Sequence, residues 1–241
     1  MIYIVVLNWN GAIDTINCVK SLMDLNVSDY KIIIVDNCSM DNSYDTIKEN
    51  LNSLYIADKS IIEVKYEDRN KYKTLENDKI ILIQSPQNNG YASGNNIGIE
   101  FALNQENMKY VWVLNNDTEV DKEALTHLIS KCDSDKSIGI CGSRLVYFAD
   151  REMQQGLGGV HNKWLCTTKN YEMGRLVSKK YDDEVISNDI DYIIGASMFF
   201  SRECLETVGL MNEEYFLYYE ELDICLRAKA KNFKLGICSE S

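Results

Sequence analysis

The sequence predicts an α/β fold with a mostly parallel central sheet flanked by helices. Three observations carry this. Continuous apolar runs at residues 2–7, 31–35 and 110–114 have strand length and read as strands buried on both faces. Segments with helical spacing separate such runs, and that alternation builds βαβ units. Each of the three runs ends in a cluster rich in Asn and Asp: Asn8-Trp9-Asn10-Gly11, Asp36-Asn37-Cys38-Ser39-Met40-Asp41 and Asn115-Asn116-Asp117-Thr118. Ligands of open α/β sheets bind beyond the carboxyl ends of the strands. Three polar strand ends therefore predict one shared site.

The elements follow in order. Ile13, Ile16, Val19, Leu22 and Met23 take helical spacing after the first strand. The run 31–35 is the second strand. A helix is expected over 42–54, with Tyr44, Ile47, Leu51 and Leu54 inward, and 80–84 is the next strand. Between them, 55–79 is polar and lacks a helical face. It reads as an inserted surface loop, with weak alternation at 61–66 that would suit a small hairpin. After Asp117 a helix fits 122–131, followed by short strands at 138–141 and 144–148. Gly156-Leu157-Gly158-Gly159 opens a long irregular stretch. Residues 191–201 are apolar, a helix fits 220–231, and 233–238 reads as a strand with nothing after it. One domain over 1–241 is expected, with a C-terminal continuation missing.

Composition narrows the function. The 241 residues, 45% of them hydrophobic, suffice for a substantial core. A net charge of −12 argues against a nucleic-acid partner and against attraction of the whole surface to anionic lipid. Eight cysteines without a CxxC pair and two histidines give no zinc pattern, so buried thiols in a reducing cytosol are expected. Entry into a strand at Ile2 leaves no room for a signal peptide. The apolar run 192–200 is far short of the roughly 20 residues that span a bilayer. A cytoplasmic chain is expected. Arg227, Lys229, Lys231 and Lys234 suggest weak peripheral contact with the inner face of the membrane, or else cations favoured at a helix C-terminus.

Each motif has its chemistry. Asp36 can accept the imide N–H of uracil or thymine, and its loss is expected to weaken nucleotide binding without unfolding the chain. It is also good turn chemistry. Asn8 and Asn10 add amides beside it. Asn115 and Asp117, at i and i+2 after a strand, can clamp Mg2+ or Mn2+ on a diphosphate, with Asn116 between them. The loop Asn88–Gly98 follows a strand and opens a helix, so backbone N–H groups around Asn89, Gly90 and Asn95 can approach a nucleotide. Tight loop packing would explain the same residues. No GxGxxG or Walker sequence is present, which excludes the usual dehydrogenase and P-loop readings. On the helix from 220, Glu220, Asp223 and Arg227 share a face and can form a charged network, which leaves Glu221 to face a site. Carboxylates there also suit the helix dipole.

Together VVLNWNG, IIIVDNCSMDNS, NNGYASGNNIGI, VWVLNNDTEVD, IIGASMFFSRE and FLYYEELDICLRAKAKNFKLG resemble family 2 glycosyltransferases of the GT-A fold, a single Rossmann-like domain, and especially the bacterial rhamnosyltransferase-like branch. The resemblance spans almost the whole chain. It implies inverting transfer of a sugar from a nucleoside-diphosphate donor, dTDP-rhamnose or a UDP-hexose, to a growing surface glycan or lipid-linked glycan. It implies that Asp36 reads the base and that Asp117, with Asn115, holds Mn2+ or Mg2+. It places the general base at Glu221, with Asp223 nearby, and puts Gly195 and Ala196 near donor sugar and acceptor. Asn115 stands where the family's first metal-site Asp would be, and Glu221 where its Asp base would be. Two other readings are a sugar nucleotidyltransferase and a non-catalytic nucleotide-sugar-binding module. The first would carry a basic Gly-rich loop after strand one, which Asn8–Gly11 is not.

Overall fold

The computed structural model describes residues 1–54 and 60–241. The first half alternates β1 (Ile2–Asn8), α1 (Ala12–Met23), β2 (Tyr30–Asp36), α2 (Ser43–Leu54), β3 (Ser60–Glu63), β4 (Asp78–Gln84), α3 (Tyr91–Leu103) and β5 (Tyr110–Asn115). The second half holds α4 (Ala124–Ser134), β6 (Ile138–Ser143), β7 (Leu145–Val146), β8 (Gln154–Gly156), β9 (Gly159–Asn162) and β10 (Thr167–Asn170). It continues with α5 (Asp183–Asp189), β11 (Ser197–Ser201), α6 (Arg202–Val208), α7 (Glu220–Ala230) and β12 (Lys234–Cys238).

Eight strands form one sheet in the order β12-β6-β11-β5-β1-β2-β4-β3. All neighbours run parallel except β11, which is antiparallel to β5 and β6. Alternation along β1 sorts the two faces. Tyr3, Val5 and Leu7 pack with Ile97 and Phe101 of α3 and Leu222 and Ile224 of α7. Ile2, Ile4 and Val6 pack with Ile16 and Val19 of α1, Ile47 of α2 and Leu125 of α4. Every residue of β1 and β2 is buried, as the unbroken apolar runs required.

Two glycines let α3 lie directly on β1. A Cβ at Gly94 would come within 2.5 Å of a Leu7 methyl, and one at Gly98 within 2.5 Å of a Val5 methyl. Much of the glycine content of the loop-and-helix motif therefore serves packing.

The stretch expected as a surface loop over 55–79 differs. Residues 55–59, and the expected inward side chain of Leu54, lie outside the described residues. Residues 60–63 are β3, a parallel edge strand on β4 rather than half of a hairpin. The rest is anchored: Tyr72 stacks on Phe101 at 6.2 Å, Arg69 pairs with Glu100 at 3.1 Å, and the buried Lys31 ammonium donates to the carbonyls of Leu75 and Asp78. Charged residues here clamp the sheet edge, which hid the strand from a hydrophobicity reading. The expected strand 144–148 shrinks to β7, and the irregular stretch after Gly156 contains β9, β10 and α5.

The C-terminal basic cluster disperses. Arg227 bonds Asp223 and the carbonyls of Val208 and Leu210, Lys229 donates to the Ile190 carbonyl, and Lys234 pairs with Asp135. Arg227 and Lys229 are committed to partners within the fold, while Lys231 and Lys234 are exposed, Lys234 in a surface pair with Asp135. Among the described residues no helix is long and apolar enough to cross a membrane.

Gly98→Ala is expected to cost about 1–3 kcal/mol, because the added methyl meets a stiff β-branched neighbour. Urea unfolding should show a lower midpoint with an unchanged slope. An unchanged midpoint would mean that α3 is free to move off β1.

Candidate active site

The ends of β1, β2 and β5 meet through a chain of side-chain hydrogen bonds. The Asn8 amide donates to Asp36 Oδ1 at 2.8 Å and to Ser39 Oγ at 3.1 Å. Thr15 Oγ1 donates to Asn8 Oδ1 at 2.8 Å, and the Asn116 amide donates to Thr15 Oγ1 at 3.0 Å. Asp36 Oδ2 accepts from the Ser39 amide at 3.1 Å and from Gln84 Nε2 at 3.3 Å. Asp36, Asn8 and Thr15 are fully buried. Asn10 shapes the rim: it sits at φ 52°, and its side chain accepts from the Met40 amide at 2.9 Å.

The expectation that loss of Asp36 leaves the chain folded gains a cost in stability from this geometry. Alanine there would remove the acceptor of the buried Asn8 amide and the half-buried Ser39 amide, and an orphaned buried polar group costs about 1–3 kcal/mol. Ser39 closes the turn that begins at Asp36, and Thr15 and Gln84 also belong to the network but were not singled out from sequence. Nothing in their spacing marks them, since their role depends on strand pairing.

Asn115 is the last residue of β5, and Asn116 and Asp117 turn away from the strand. The turn is closed by the Thr118 hydroxyl and amide on the Asn115 carbonyl, at 2.7 and 3.3 Å. Asp117 is exposed and Asn115 half-buried. Both line a cleft of about 1150 Å³ that also takes in Ala196, Ser197 and Arg144. Among the described residues no three His, Cys, Asp or Glu side chains gather into a metal-binding group. One carboxylate and one amide suit a cation that arrives with phosphates and water, as Mg2+ commonly does, and do not suit a cage built by protein alone.

The glycine-rich loop is placed differently from expectation. Gly90 has φ 95°, and a Cβ there would lie 2.2 Å from the Phe216 carbonyl oxygen. Its next residue, Tyr91, donates its amide to that same oxygen at 2.8 Å. Gly90 therefore docks the segment before α7 onto the start of α3, a close approach that only glycine allows. Asn95 is fully buried and donates to the Tyr91 carbonyl at 3.1 Å, so it supports the helix start from within. Asn89 alone of the three is exposed.

That docking positions α7. Tyr218 and Tyr219 precede the helix at φ 74° and 72°. Two successive aromatic residues in this region cost on the order of 1–3 kcal/mol each and persist only when their surroundings impose them. Glu220 and Glu221 follow in the first turn. The expected Glu220–Asp223–Arg227 network is only half present: Asp223 pairs with Arg227 at 2.8 Å, while Glu220 turns into the protein and is 4% exposed. Arg227 instead reaches carbonyls that precede α7. Glu220 Oε2 and Glu221 Oε2 are both buried without a hydrogen-bond partner among the described residues. Burial pushes the Glu220 carboxyl up to about 7, opposed by its own backbone amide and reinforced by the charge of Glu221. Burial also raises Glu221, against the amides of Glu221 and Tyr219. Desolvation outweighs the helix N-terminus here.

Gly195 and Ala196 connect the two halves. The Tyr91 hydroxyl donates to the Gly195 carbonyl at 2.8 Å, and a Cβ on Gly195 would lie 3.9 Å from that of Glu221. The Ala196 carbonyl accepts from the Asn115 amide at 3.1 Å. Burial, then the charges of Glu220 and Glu221, raise the Tyr91 hydroxyl well above its ordinary range. Tyr91 was also not singled out from sequence. The site thus joins a nest of polar strand ends to a pair of dehydrated carboxylates through Gly195–Ala196 and Asn115.

Comparisons with known proteins give the family and the fold. A family profile described as "Glycosyl transferase family 2" matches residues 3–209. The chain is 28% identical over 216 residues to the low-salt glycan biosynthesis hexosyltransferase Agl10 of Haloferax volcanii, covering 88% of this chain and 65% of that protein. It is 24% identical over 191 residues to the dTDP-rhamnosyl transferase RfbF of Shigella flexneri, covering 77% and 60%. The chain therefore spans less than two thirds of these relatives. Among solved structures it superposes on the mannosyltransferase PcManGT of Pyrobaculum calidifontis, in complex with GDP-Man and Mn2+, with a TM-score of 0.60 at 11% identity, covering 98% of this chain and 56% of that one.

Glu220 should leave a signature in stability. Between about pH 4.5 and 7 the folded chain keeps a proton there that the unfolded chain releases, so stability falls as pH rises through that window. Glu220→Gln removes this dependence. Its stability relative to the parent should rise by roughly 3 kcal/mol from pH 4 to pH 8. Parallel curves of urea stability against pH would show that Glu220 is not held protonated.

Proposed function

The chain belongs to glycosyl transferase family 2, and on that premise we propose that it moves a sugar from a nucleoside-diphosphate donor to a hydroxyl of a growing surface glycan, inverting the anomeric centre. A dTDP-rhamnose or UDP-hexose donor is in keeping with the relatives, one of them named for dTDP-rhamnosyl transfer and the other for hexosyl transfer in glycan biosynthesis.

The observation that carries the reading is the pair of dehydrated carboxylates at the start of α7, beside Gly195 and reached from the polar strand ends. Glu221 is half-buried, has an oxygen without a partner, and is held above the usual carboxylate range by burial. A base whose pKa moves toward the working pH is a more effective proton acceptor. Asp223, committed to Arg227, positions the helix.

In the proposed reaction, Glu221 takes the proton of the acceptor hydroxyl as its oxygen attacks the anomeric carbon. The bond from that carbon to the diphosphate oxygen breaks, and its electron pair leaves with the nucleoside diphosphate. Asp117, with Asn115 beside it, would hold Mn2+ or Mg2+, whose chemistry there is to neutralise charge on the diphosphate. The base would lie over the β1 and β2 ends, where Gln84, the exposed and longest of the donors to Asp36, is the one a pyrimidine imide can displace. Asn8 and Thr15 hold that carboxylate in place. The remaining rate enhancement comes from holding donor and acceptor in line.

Glu221→Gln keeps size and hydrogen bonding but cannot accept the proton. With dTDP-rhamnose and UDP-hexoses as donors, transfer should fall by roughly 10²-fold or more while donor affinity stays near the parental value. Asp223→Asn should lower stability and reduce transfer less. A Glu221→Gln chain that transfers at the parental rate, beside a folded but inactive Asp223→Asn chain, would move the base to Asp223.

A further inference from the structure

The hairpin made by β9 and β10 has no part in the chemistry described above, yet it stands against the residues that precede the proposed base. Its root is stitched to the segment before Gly195: Gly159 exchanges backbone hydrogen bonds with Asp191 and Tyr192, and the His161 amide donates to Asp191 Oδ2 at 2.8 Å. A Cβ on Gly159 would fall 2.1 Å from the Tyr192 ring, so the ring lies directly on the strand. Its tip meets the bend before α7. The His161 ring packs edge-on to Tyr219 at 6.5 Å, and the Tyr219 hydroxyl donates to the Cys166 carbonyl at 3.2 Å. Tyr192 sits beneath, near both Glu221 and Tyr219.

This arrangement exposes aromatic surface next to a carboxylate that needs an acceptor. Trp164 at the hairpin tip is 86% exposed and Tyr218 69%. Single exposed apolar side chains are ordinary, whereas a contiguous exposed patch marks an interaction site. Trp164 is not alone. Val160, His161, Asn162, Lys163 and Asp191 line a shallow, open cleft with it. Asn162 Oδ1 is used within the turn, by the amides of Trp164 and Leu165 at 3.0 and 3.1 Å. Among the described residues the amide nitrogen of Asn162 and the second oxygen of Asp191 have no hydrogen-bond partner, and the Lys163 ammonium lies 5.6 Å from the Trp164 ring centroid, against one face of the indole.

We propose that this cleft is the subsite for the acceptor saccharide, with Trp164 as the stacking face and Asn162, Lys163 and Asp191 as hydroxyl partners. The inference rests on the transferase reading, because it is Glu221 that requires a sugar hydroxyl at this edge. A pyranose presents an apolar C–H face and a rim of hydroxyls. A flat indole flanked by an amide, a carboxylate and an ammonium matches both. The tip also exposes Leu165, so it is the Asp191 carboxylate and the Asn162 amide that favour a hydroxylated partner over a lipid surface.

The test uses the whole chain and three defined probes: methyl α-L-rhamnoside, maltotriose and chitotriose. Saturation-transfer NMR and tryptophan fluorescence should show saturable binding of at least one of them. Trp164→Ala should weaken it at least tenfold, Trp164→Tyr should retain most of it, and UDP and dTDP affinity should be unchanged in both variants. If the parent binds none of the probes, or Trp164→Ala binds them as the parent does, the subsite is refuted. So it is if Trp164 instead drives flotation with phosphatidylglycerol vesicles. Nucleotide binding read alongside separates the two claims. Saccharide binding without nucleotide binding would overturn the donor reading and keep the subsite, and the converse would do the opposite.

Discussion

The buried hydrogen-bond chain Asp36–Asn8–Thr15–Asn116 is the constraint on which the site depends. It runs from the end of β2 through β1 and α1 to the turn after β5. Each member is buried or half-buried, and in so dry an environment an unmade hydrogen bond costs more than a made one returns. The strand ends are therefore fixed relative to each other, together with the turn that carries Asp117. A polar network in this position is costly as plain architecture, since apolar side chains would fill the same space without the risk of an orphaned donor. Its presence where open α/β sheets bind ligands is what ties architecture to chemistry.

The other half of the site obeys an opposite economy. Glu220 and Glu221 carry buried oxygens without a partner among the described residues, and the chain before them holds two tyrosines in a left-handed bend. Gly90 makes this possible by letting the Phe216 carbonyl approach the start of α3. Strain and desolvation here are offset by the packing of α7 and α3 against the sheet. The result is a pair of carboxyls with raised proton affinity beside Gly195. One half of the site is rigid because it is satisfied. The other holds carboxyls that burial leaves with raised proton affinity.

Much of this was legible in the sequence, and the limits were physical. β1, β2 and β5 read directly because strands buried on both faces must be apolar throughout. Asn8, Asp36, Asn115 and Asp117 could be placed because they follow such strands. Glu221 could be separated from Asp223 by helical arithmetic, but the same arithmetic put Glu220 in a network that it does not join. The error came from treating α7 as isolated: Arg227 spends its other donors on Val208 and Leu210, which only tertiary contact brings near. Gly90 and Asn95 looked like ligand-binding residues because close packing and ligand approach ask for the same small or polar residues. β3, β9 and β10 were missed because short, polar strands at an edge or in a hairpin carry little hydrophobic signal. Thr15 and Tyr91 had no signal at all, since the contacts that tie them into the site, to Asn116 and to Gly195, span 101 and 104 residues of chain.

The central claim is that the strand-end nest and the Asp117 turn together hold a nucleoside diphosphate. Calorimetric titration of the chain with UDP and with dTDP, in Mn2+ and in excess chelator, tests it most directly. The account predicts saturable binding of at least one nucleotide, weaker in chelator, with the Mn2+ enhancement lost in Asp117→Asn. Absence of binding by both nucleotides in Mn2+ would contradict it.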